Sequence, residues 1–105
     1  MKVGCDIVDL RRIQLDNEAF IRGILSPKER EIFAQRKDKR SFLGGRFAAK
    51  EAFLKALGTG LSGARMNEID VSYREGGQPI LLYQRKEYEV SISHDGDYAI
   101  AIVIL

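Results

Sequence analysis

The sequence predicts an α+β fold in which a small antiparallel sheet packs against a long central helix, as a single domain over residues 1–105. Residues 42–57 carry apolar side chains at helical spacing, whereas from residue 66 onward apolar and polar side chains alternate as in half-buried strands. Asp95-Gly96 separates two of the apolar runs and is typical of a tight β-hairpin turn. A chain this small buries only roughly 60–70% of its unfolded surface, so oligomerisation would add to its stability.

The first strand is predicted over residues 2–10, with Gly4 allowing another backbone to approach closely. Asp6 lies inside it, where an acidic residue is costly if buried unpaired. Without further information, an edge position facing water is the simplest explanation. Cys5 is the only cysteine, so an internal disulfide and a cysteine metal cluster are excluded. We expect Cys5 to be a small buried hydrophobe.

Three helices follow the first strand. Asp9 is predicted to be the N-cap of the first helix, and Ser26 with Glu29 forms the capping box of the second. A charge-rich turn at residues 36–40 leads into the main helix. That helix is predicted to end at Gly58, which can adopt a left-handed C-cap because it has no Cβ.

The second half of the chain is predicted to form strands near residues 69–73, 80–83, 88–93 and 98–105, with a polar connection at 84–87. The last of these strands is almost wholly apolar. It is therefore expected to be central, covered by the main helix or by a neighbouring subunit.

Four charged residues of the main helix need partners. Glu51 emerges from a mostly apolar or small-residue surround, and its simplest partner is Lys55, four residues later. Arg46 and Lys50 are also four residues apart but carry like charges. They repel mildly unless an anion lies between them or their charged ends reach solvent.

Two further features are ambiguous on their own. His94, the only histidine, lies at a strand end, a position that is more often structural than catalytic. The Gly58-Thr59-Gly60 segment, expected to be an exposed turn, is only a weak indication of a phosphate-binding site, because phosphate-binding loops usually precede a helix rather than follow it.

Composition restricts the function classes. The net charge of +2, with 30% charged residues, argues against simple polyanion binding. A nucleic-acid-binding module remains an alternative because of the basic residues at 36–40, but aromatic side chains are not interleaved with them. The sequence has no apolar signal core and no run near the roughly 18 apolar residues of a membrane span. We therefore expect a soluble cytoplasmic protein with neither nucleic acid nor membrane as a partner.

Three sequence blocks, at residues 4–13, 45–60 and 91–101, together resemble the 4′-phosphopantetheinyl transferase superfamily, and within it the holo-[acyl-carrier-protein] synthases. The central block, which contains Arg-Phe-Ala-Ala-Lys-Glu-Ala and Lys-Ala-Leu-Gly-Thr-Gly, is highly specific. The resemblance implies transfer of the phosphopantetheine arm of coenzyme A to a serine of an apo-acyl carrier protein, with release of adenosine 3′,5′-bisphosphate. A catalytically silent relative that binds coenzyme A or carrier protein is the alternative.

The resemblance also implies roles for individual residues. Asp6 and Glu51 match magnesium ligands, and with Lys55 they form the implied catalytic set. Glu51 or a water on the metal would accept the serine proton. The implied coenzyme-binding residues are Arg46, Lys50, Lys55, Gly58, Thr59, Gly60 and His94.

The family resemblance extends to partners and assembly. It implies a homotrimer with active sites between subunits, in which His94 comes from the neighbouring chain. Arg11 and Arg12 are then expected to be docking residues for an acidic helix of the carrier protein. Residues 79–91 form a shorter segment than the family leads us to expect.

Overall fold

The computed structural model describes residues 1–58 and 63–105 and confirms the α+β class, with a five-stranded antiparallel sheet in the order β1-β5-β4-β3-β2. The strands are β1 (Val3–Asp9), β2 (Asp70–Tyr73), β3 (Pro79–Tyr83), β4 (Lys86–Asp95) and β5 (Tyr98–Ile104). The α-helices of the described ranges are α1 (Glu18–Ile24), α2 (Pro27–Gln35) and α3 (Lys39–Leu57), and 3-10 turns occupy Leu10–Arg12 and Met66–Glu68.

The prediction of a helix directly after β1 is wrong about the length and the position of that helix. Asp9 does act as a cap, because its side chain accepts a hydrogen bond from the Arg11 N–H. However, the turn that it caps spans only Leu10–Arg12, since Ile13 returns to an extended conformation. The first α-helix starts later, behind Asn17, whose side chain accepts from the Phe20 N–H.

The ends of α2 and α3 follow the sequence signals more closely. The capping box of Ser26 and Glu29 is present at the start of α2. Helix α3 begins at Lys39, inside the charged stretch that was expected to be a turn, and ends against Gly58 with φ of 73°, as predicted. No helix in the described ranges is long and apolar enough to cross a membrane.

Helix α3 packs mainly against β1 and β5. A Cβ on Gly4 would overlap the backbone of Ala52, so the predicted close approach at Gly4 is the contact that sets β1 against α3. Towards the far side of the sheet, the buried Phe53 ring lies 5.7 Å from that of Tyr83 and 4.9 Å from that of Tyr88. The core therefore lies between α3 and one face of the sheet.

The opposite face of the sheet is apolar and exposed. Strand β5 lies between β1 and β4, in the interior position predicted for it. Its alternate residues are buried on the α3 side, but its outward residues Tyr98, Ile100, Ile102 and Ile104 remain 38–45% exposed. Cys5 is exposed on this face rather than buried as expected, because β1 directs Val3, Cys5 and Ile7 outward.

The connection between β3 and β4 is tighter than predicted. Residues 84–87 were expected to form a polar connection, but β4 already begins at Lys86. Gln84 and Arg85 form a two-residue turn with φ values of 50° and 66°. Positive φ at both positions matches the type of turn whose twist suits a hairpin.

Candidate active site

Asp6 and Lys55 meet where β1 lies against α3. Asp6 has the same strand parity as Gly4, so its side chain leaves the sheet on the helix side. The Lys55 ammonium Nζ lies 3.0 Å from Asp6 Oδ1 and 3.1 Å from the carbonyl oxygen of Cys5. The Lys55 side chain is 53% exposed and that of Asp6 is 16% exposed. The pair therefore lies at the edge of the core and within reach of a ligand.

Glu51 lies beside this pair and carries a perturbed carboxyl group. Burial raises the pKa of Glu51, the negative charge of Asp6 raises it further, and Lys55 opposes both effects. The Glu51–Lys55 ion pair offered by the sequence is absent from the described residues, because the ammonium binds Asp6 instead. Two neighbouring carboxylates thus share a single lysine.

The chemistry of Asp6 and Glu51 suits a divalent cation. The described residues contain no group of three or more His, Cys, Asp and Glu side chains placed to hold a metal. Magnesium does not need one, because it commonly binds one or two carboxylates and completes its octahedron with waters and phosphate oxygens. Asp6 and Glu51 provide two hard oxygen donors with excess negative charge, at an open cavity of about 440 Å³. These residues fit a magnesium ion.

The two arginines predicted for carrier docking point in different directions. Arg12 lines the same cavity as Asp6 and Glu51. Arg11 instead binds the Asp9 carboxylate at 2.9 Å and donates to the Tyr98 hydroxyl at 3.1 Å. Arg12 is therefore adjacent to the carboxylate pair, whereas Arg11 borders the exposed face of the sheet.

Lys50 does not face a ligand cavity, which corrects its expected position in the coenzyme site. It is fully buried, its ammonium pairs with Glu29 Oε1, and Nζ donates to the Ile24 carbonyl oxygen at 2.7 Å. Burial lowers the pKa of Lys50, and the charge of Glu29 opposes that effect. Lys50 thus joins α3 to α2 as part of the core.

Glu29 has a wider structural role than the helix cap that the sequence predicts for it. Beyond its cap, Oε2 accepts a hydrogen bond from the Val71 N–H at 2.8 Å and lies 3.4 Å from Arg46 Nε. It is therefore the anion between Arg46 and Lys50. The like-charged spacing of those two residues signalled that an anion was needed, but not which one.

Arg46 and His94 line a different cavity, of about 460 Å³, beside the first half of α3. The Arg46 guanidinium carbon lies 3.6 Å from the centroid of the Phe42 ring, and the residue is 6% exposed. His94 packs over Gly45, where a Cβ would come within 3.1 Å of the imidazole Nε2. The Arg46 side chain is thus fixed by packing at the cavity wall.

Within one chain, the structure brings together only part of the predicted site. Asp6, Glu51 and Lys55 converge, but Arg46 and His94 line a separate cavity. Gly58 follows Lys55 by three residues and caps the helix that carries it. The predicted coenzyme contacts at Thr59 and Gly60 lie outside the described residues.

Comparison with known proteins identifies the family. A family model described as the 4′-phosphopantetheinyl transferase superfamily matches residues 2–103. The holo-[acyl-carrier-protein] synthase of Geobacillus sp. (strain WCH70) is 46% identical over 111 residues, which cover 98% of this chain and 93% of that protein.

Solved structures agree with the sequence relatives. The holo-[acyl-carrier-protein] synthase from Neisseria meningitidis superposes with a TM-score of 0.87 at 34% identity, covering 97% of this chain and 94% of that one. A holo-(acyl-carrier-protein) synthase from Bacillus anthracis, solved in complex with CoA (3′,5′-ADP), gives 0.86 at 37% identity and covers 97% and 92%. Because the family match and these relatives extend over nearly the whole chain, the protein belongs to the 4′-phosphopantetheinyl transferase superfamily.

Proposed function

We propose that this protein acts as a holo-[acyl-carrier-protein] synthase, with one transferase domain over residues 1–105. It transfers the 4′-phosphopantetheine group of coenzyme A to a serine of apo-acyl carrier protein and releases adenosine 3′,5′-bisphosphate. The observation that carries this proposal is the convergence of Asp6, Glu51 and Lys55 where β1 meets α3, in a chain of this family.

The reaction exchanges one bond to phosphorus for another. The serine Oγ bonds to the phosphorus that carries pantetheine, and the bond from that phosphorus to the bridging oxygen of the pyrophosphate breaks. Adenosine 3′,5′-bisphosphate leaves with the electron pair. Glu51 lines the open cavity beside Asp6, and we assign it to take the serine proton.

Positive charge must be placed against the pyrophosphate before an oxygen nucleophile can approach it. Asp6 and Glu51 would hold Mg²⁺, which when bound supplies Lewis-acid neutralisation of phosphate charge and a template for the reacting groups. Lys55, whose ammonium already lies at Asp6, adds a fixed cation beside the same position. Arg46 is assigned to the coenzyme, where its guanidinium suits a phosphate group.

A homotrimer accounts for the exposed face of the sheet and for the position of His94. The outward side chains of β5, together with Val3 and Ile7, present an apolar surface that one chain leaves uncovered. His94 lines a cavity of about 260 Å³ at the border of this surface, with Ile7 and Tyr98. We assign His94 to coenzyme bound at the carboxylate pair of a neighbouring subunit, together with Gly58, Thr59 and Gly60 of that subunit.

The second substrate is a carrier protein with an acidic docking helix. Arg12 lies at the cavity of Asp6 and Glu51, and Arg11 borders the adjacent surface. Basic side chains in these positions would orient an acidic helix so that its serine meets the carboxylate pair. We place the reaction in the cytoplasm, where a lone cysteine such as Cys5 stays reduced.

The direct test is to incubate the full chain with coenzyme A, Mg²⁺ and an apo-acyl carrier protein and to measure the intact mass of the carrier. We expect the carrier to gain the mass of one phosphopantetheine group. A carrier with its acceptor serine replaced by alanine should gain none. An unmodified wild-type carrier after prolonged incubation would reject the proposed function.

A further inference from the structure

Tyr73 has an unusual environment for its position in the sheet. It has the same strand parity as the buried Val71, so its side chain is directed to the helix side of β2. Sequence periodicity therefore predicts an inward residue, yet Tyr73 is 55% exposed because it lies beyond the end of the core. An aromatic ring on the core-facing side of a strand is thus left open to solvent.

The open ring faces the cavity that contains Arg46. Tyr73 and Arg46 both line this cavity of about 460 Å³, and the Arg46 guanidinium carbon lies 6.0 Å from the Tyr73 ring centroid. Pro79, paired with Tyr73 across β2 and β3, and Gly77 form the adjacent wall. A flat ring, a cation and a wall of small or rigid residues thus converge on one space.

Arg46 reaches the cavity even though part of its guanidinium is engaged inside the protein. In the described parts of the chain its Nε is buried without a hydrogen bond and lies 3.4 Å from a Glu29 carboxylate oxygen, while the residue also lines the cavity of about 460 Å³. The guanidinium is held in place by stacking on Phe42. A buried, pre-positioned guanidinium next to an exposed aromatic ring suits a ligand that joins an anionic phosphate to a flat base.

We infer that Tyr73 is the platform on which the purine base of coenzyme A stacks, while Arg46 binds phosphate at the same end of the ligand. This inference rests on the proposed function, because it takes coenzyme A as the ligand. Stacking on an aromatic face binds a base without reading its edges. Tyr73 would therefore contribute to the affinity for the nucleotide end of the coenzyme and not to the chemistry at the carboxylate pair.

The test compares Tyr73→Ala, Tyr73→Phe and a control, Gln78→Ala, in the full chain. Gln78 is an exposed neutral residue of the same hairpin and does not line the cavity. We expect Tyr73→Ala to raise the KM for coenzyme A about 5- to 150-fold, the range for loss of one base–aromatic stack. Its kcat and its KM for the carrier protein should stay unchanged. Tyr73→Phe keeps the ring and should behave as wild type, as should Gln78→Ala.

Inhibition by two nucleotide-end analogues separates stacking from general damage to the cavity. Tyr73→Ala should weaken inhibition by adenosine 3′,5′-bisphosphate as much as it raises KM. It should leave inhibition by the base-free 1-O-methylribose 3,5-bisphosphate unchanged. An unaltered KM in Tyr73→Ala, an equal loss in Tyr73→Phe, or equal weakening of both inhibitors would overturn the inference.

Failure of the proposed function gives a different result. In that case the wild-type chain modifies no carrier protein at all. Direct calorimetric binding of adenosine 3′,5′-bisphosphate to wild type and to Tyr73→Ala then still decides whether the ring carries the base. Equal affinities would reject the role of Tyr73, and tighter binding by wild type would support it.

Discussion

Helix α3 carries two charged clusters that differ in burial and in the sign of their excess charge, which is positive in the first and negative in the second. In the first, the buried Glu29 lies between two cations, Lys50 and Arg46. In the second, Asp6 and Glu51 share the one ammonium of Lys55 at a partly exposed site. At about 100° per residue, the α3 members of the two clusters are centred roughly 140° apart around the helix axis.

The difference separates a cluster centred on a buried carboxylate that joins α2 to α3 from a candidate catalytic cluster of two carboxylates. Removing charge from water is costly unless the charge is paired and hydrogen-bonded, and Glu29 meets both conditions through the capping box, Lys50 and Val71. The carboxylate pair instead keeps excess negative charge next to an open cavity. A cation that binds there together with a ligand would reduce the repulsion between the two carboxylates.

The largest effect on stability is expected at Glu29. Glu29→Gln keeps the shape of the side chain and a capping oxygen but leaves Lys50 and Arg46 buried without a counter-charge. We predict a loss of about 3–5 kcal/mol in the free energy of unfolding, as is typical when one partner of a buried ion pair is removed. Urea denaturation measures this loss.

Glu31→Gln is the matched control for Glu29→Gln. Glu31 is an exposed residue of the same helix, so the same chemical change there should alter stability by less than about 0.5 kcal/mol. If Glu29→Gln were no more destabilising than Glu31→Gln, the first cluster would not hold α2 to α3 as described.

A smaller effect, of opposite sign, is expected at Glu51. Because folding raises the pKa of Glu51, the fold favours its protonated form, and ionised Glu51 costs stability. That cost is absent below the unfolded-state pKa of about 4.3 and is complete above the folded-state pKa. Glu51→Gln should therefore be more stable than wild type at neutral pH, by less than about 1 kcal/mol because solvent screens a partly exposed group.

The pH dependence of unfolding provides the check on Glu51. Urea denaturation in the presence of EDTA, between about pH 4 and about pH 8, should show the advantage of Glu51→Gln disappearing as the pH falls towards the ordinary carboxyl pKa. A Glu51→Gln variant that is less stable than wild type across this range would show that Glu51 is a stabilising residue like Glu29.

Local signals predicted those parts of the site that depend on one element or on the family motif. Asp6 and Glu51 were identified as out of place by residue type and as a pair by resemblance. The partner of Lys55 was mispredicted, because helical spacing favoured Glu51 whereas the close approach at Gly4 brings Asp6 within 3.0 Å. Lys50 was misplaced for a similar reason, since its partner Glu29 lies on another helix.

In the fold, as in the site, the sequence predicted features that neighbouring residues determine and missed features that depend on tertiary contacts. Ser26 and Gly58 marked helix ends correctly because caps are formed by neighbouring residues. The hairpin at Gln84-Arg85 was missed because neither residue is a usual occupant of positive φ, so packing of β3 against β4 sets the turn. Cys5 was misplaced because apolar alternation does not show which face of β1 the helix covers.

Turnover by Asp6→Asn, Glu51→Gln and the double variant is the most direct test of the central claim, that these two carboxylates form one magnesium site for phosphopantetheine transfer. Measured as kcat at saturating coenzyme A, carrier protein and Mg²⁺, each single change should lower the rate at least about 100-fold. The double variant should be about as slow as the slower single variant, because groups that act as one unit are not additive. Losses that multiply in the double variant, or full activity in either single variant, would contradict a shared site.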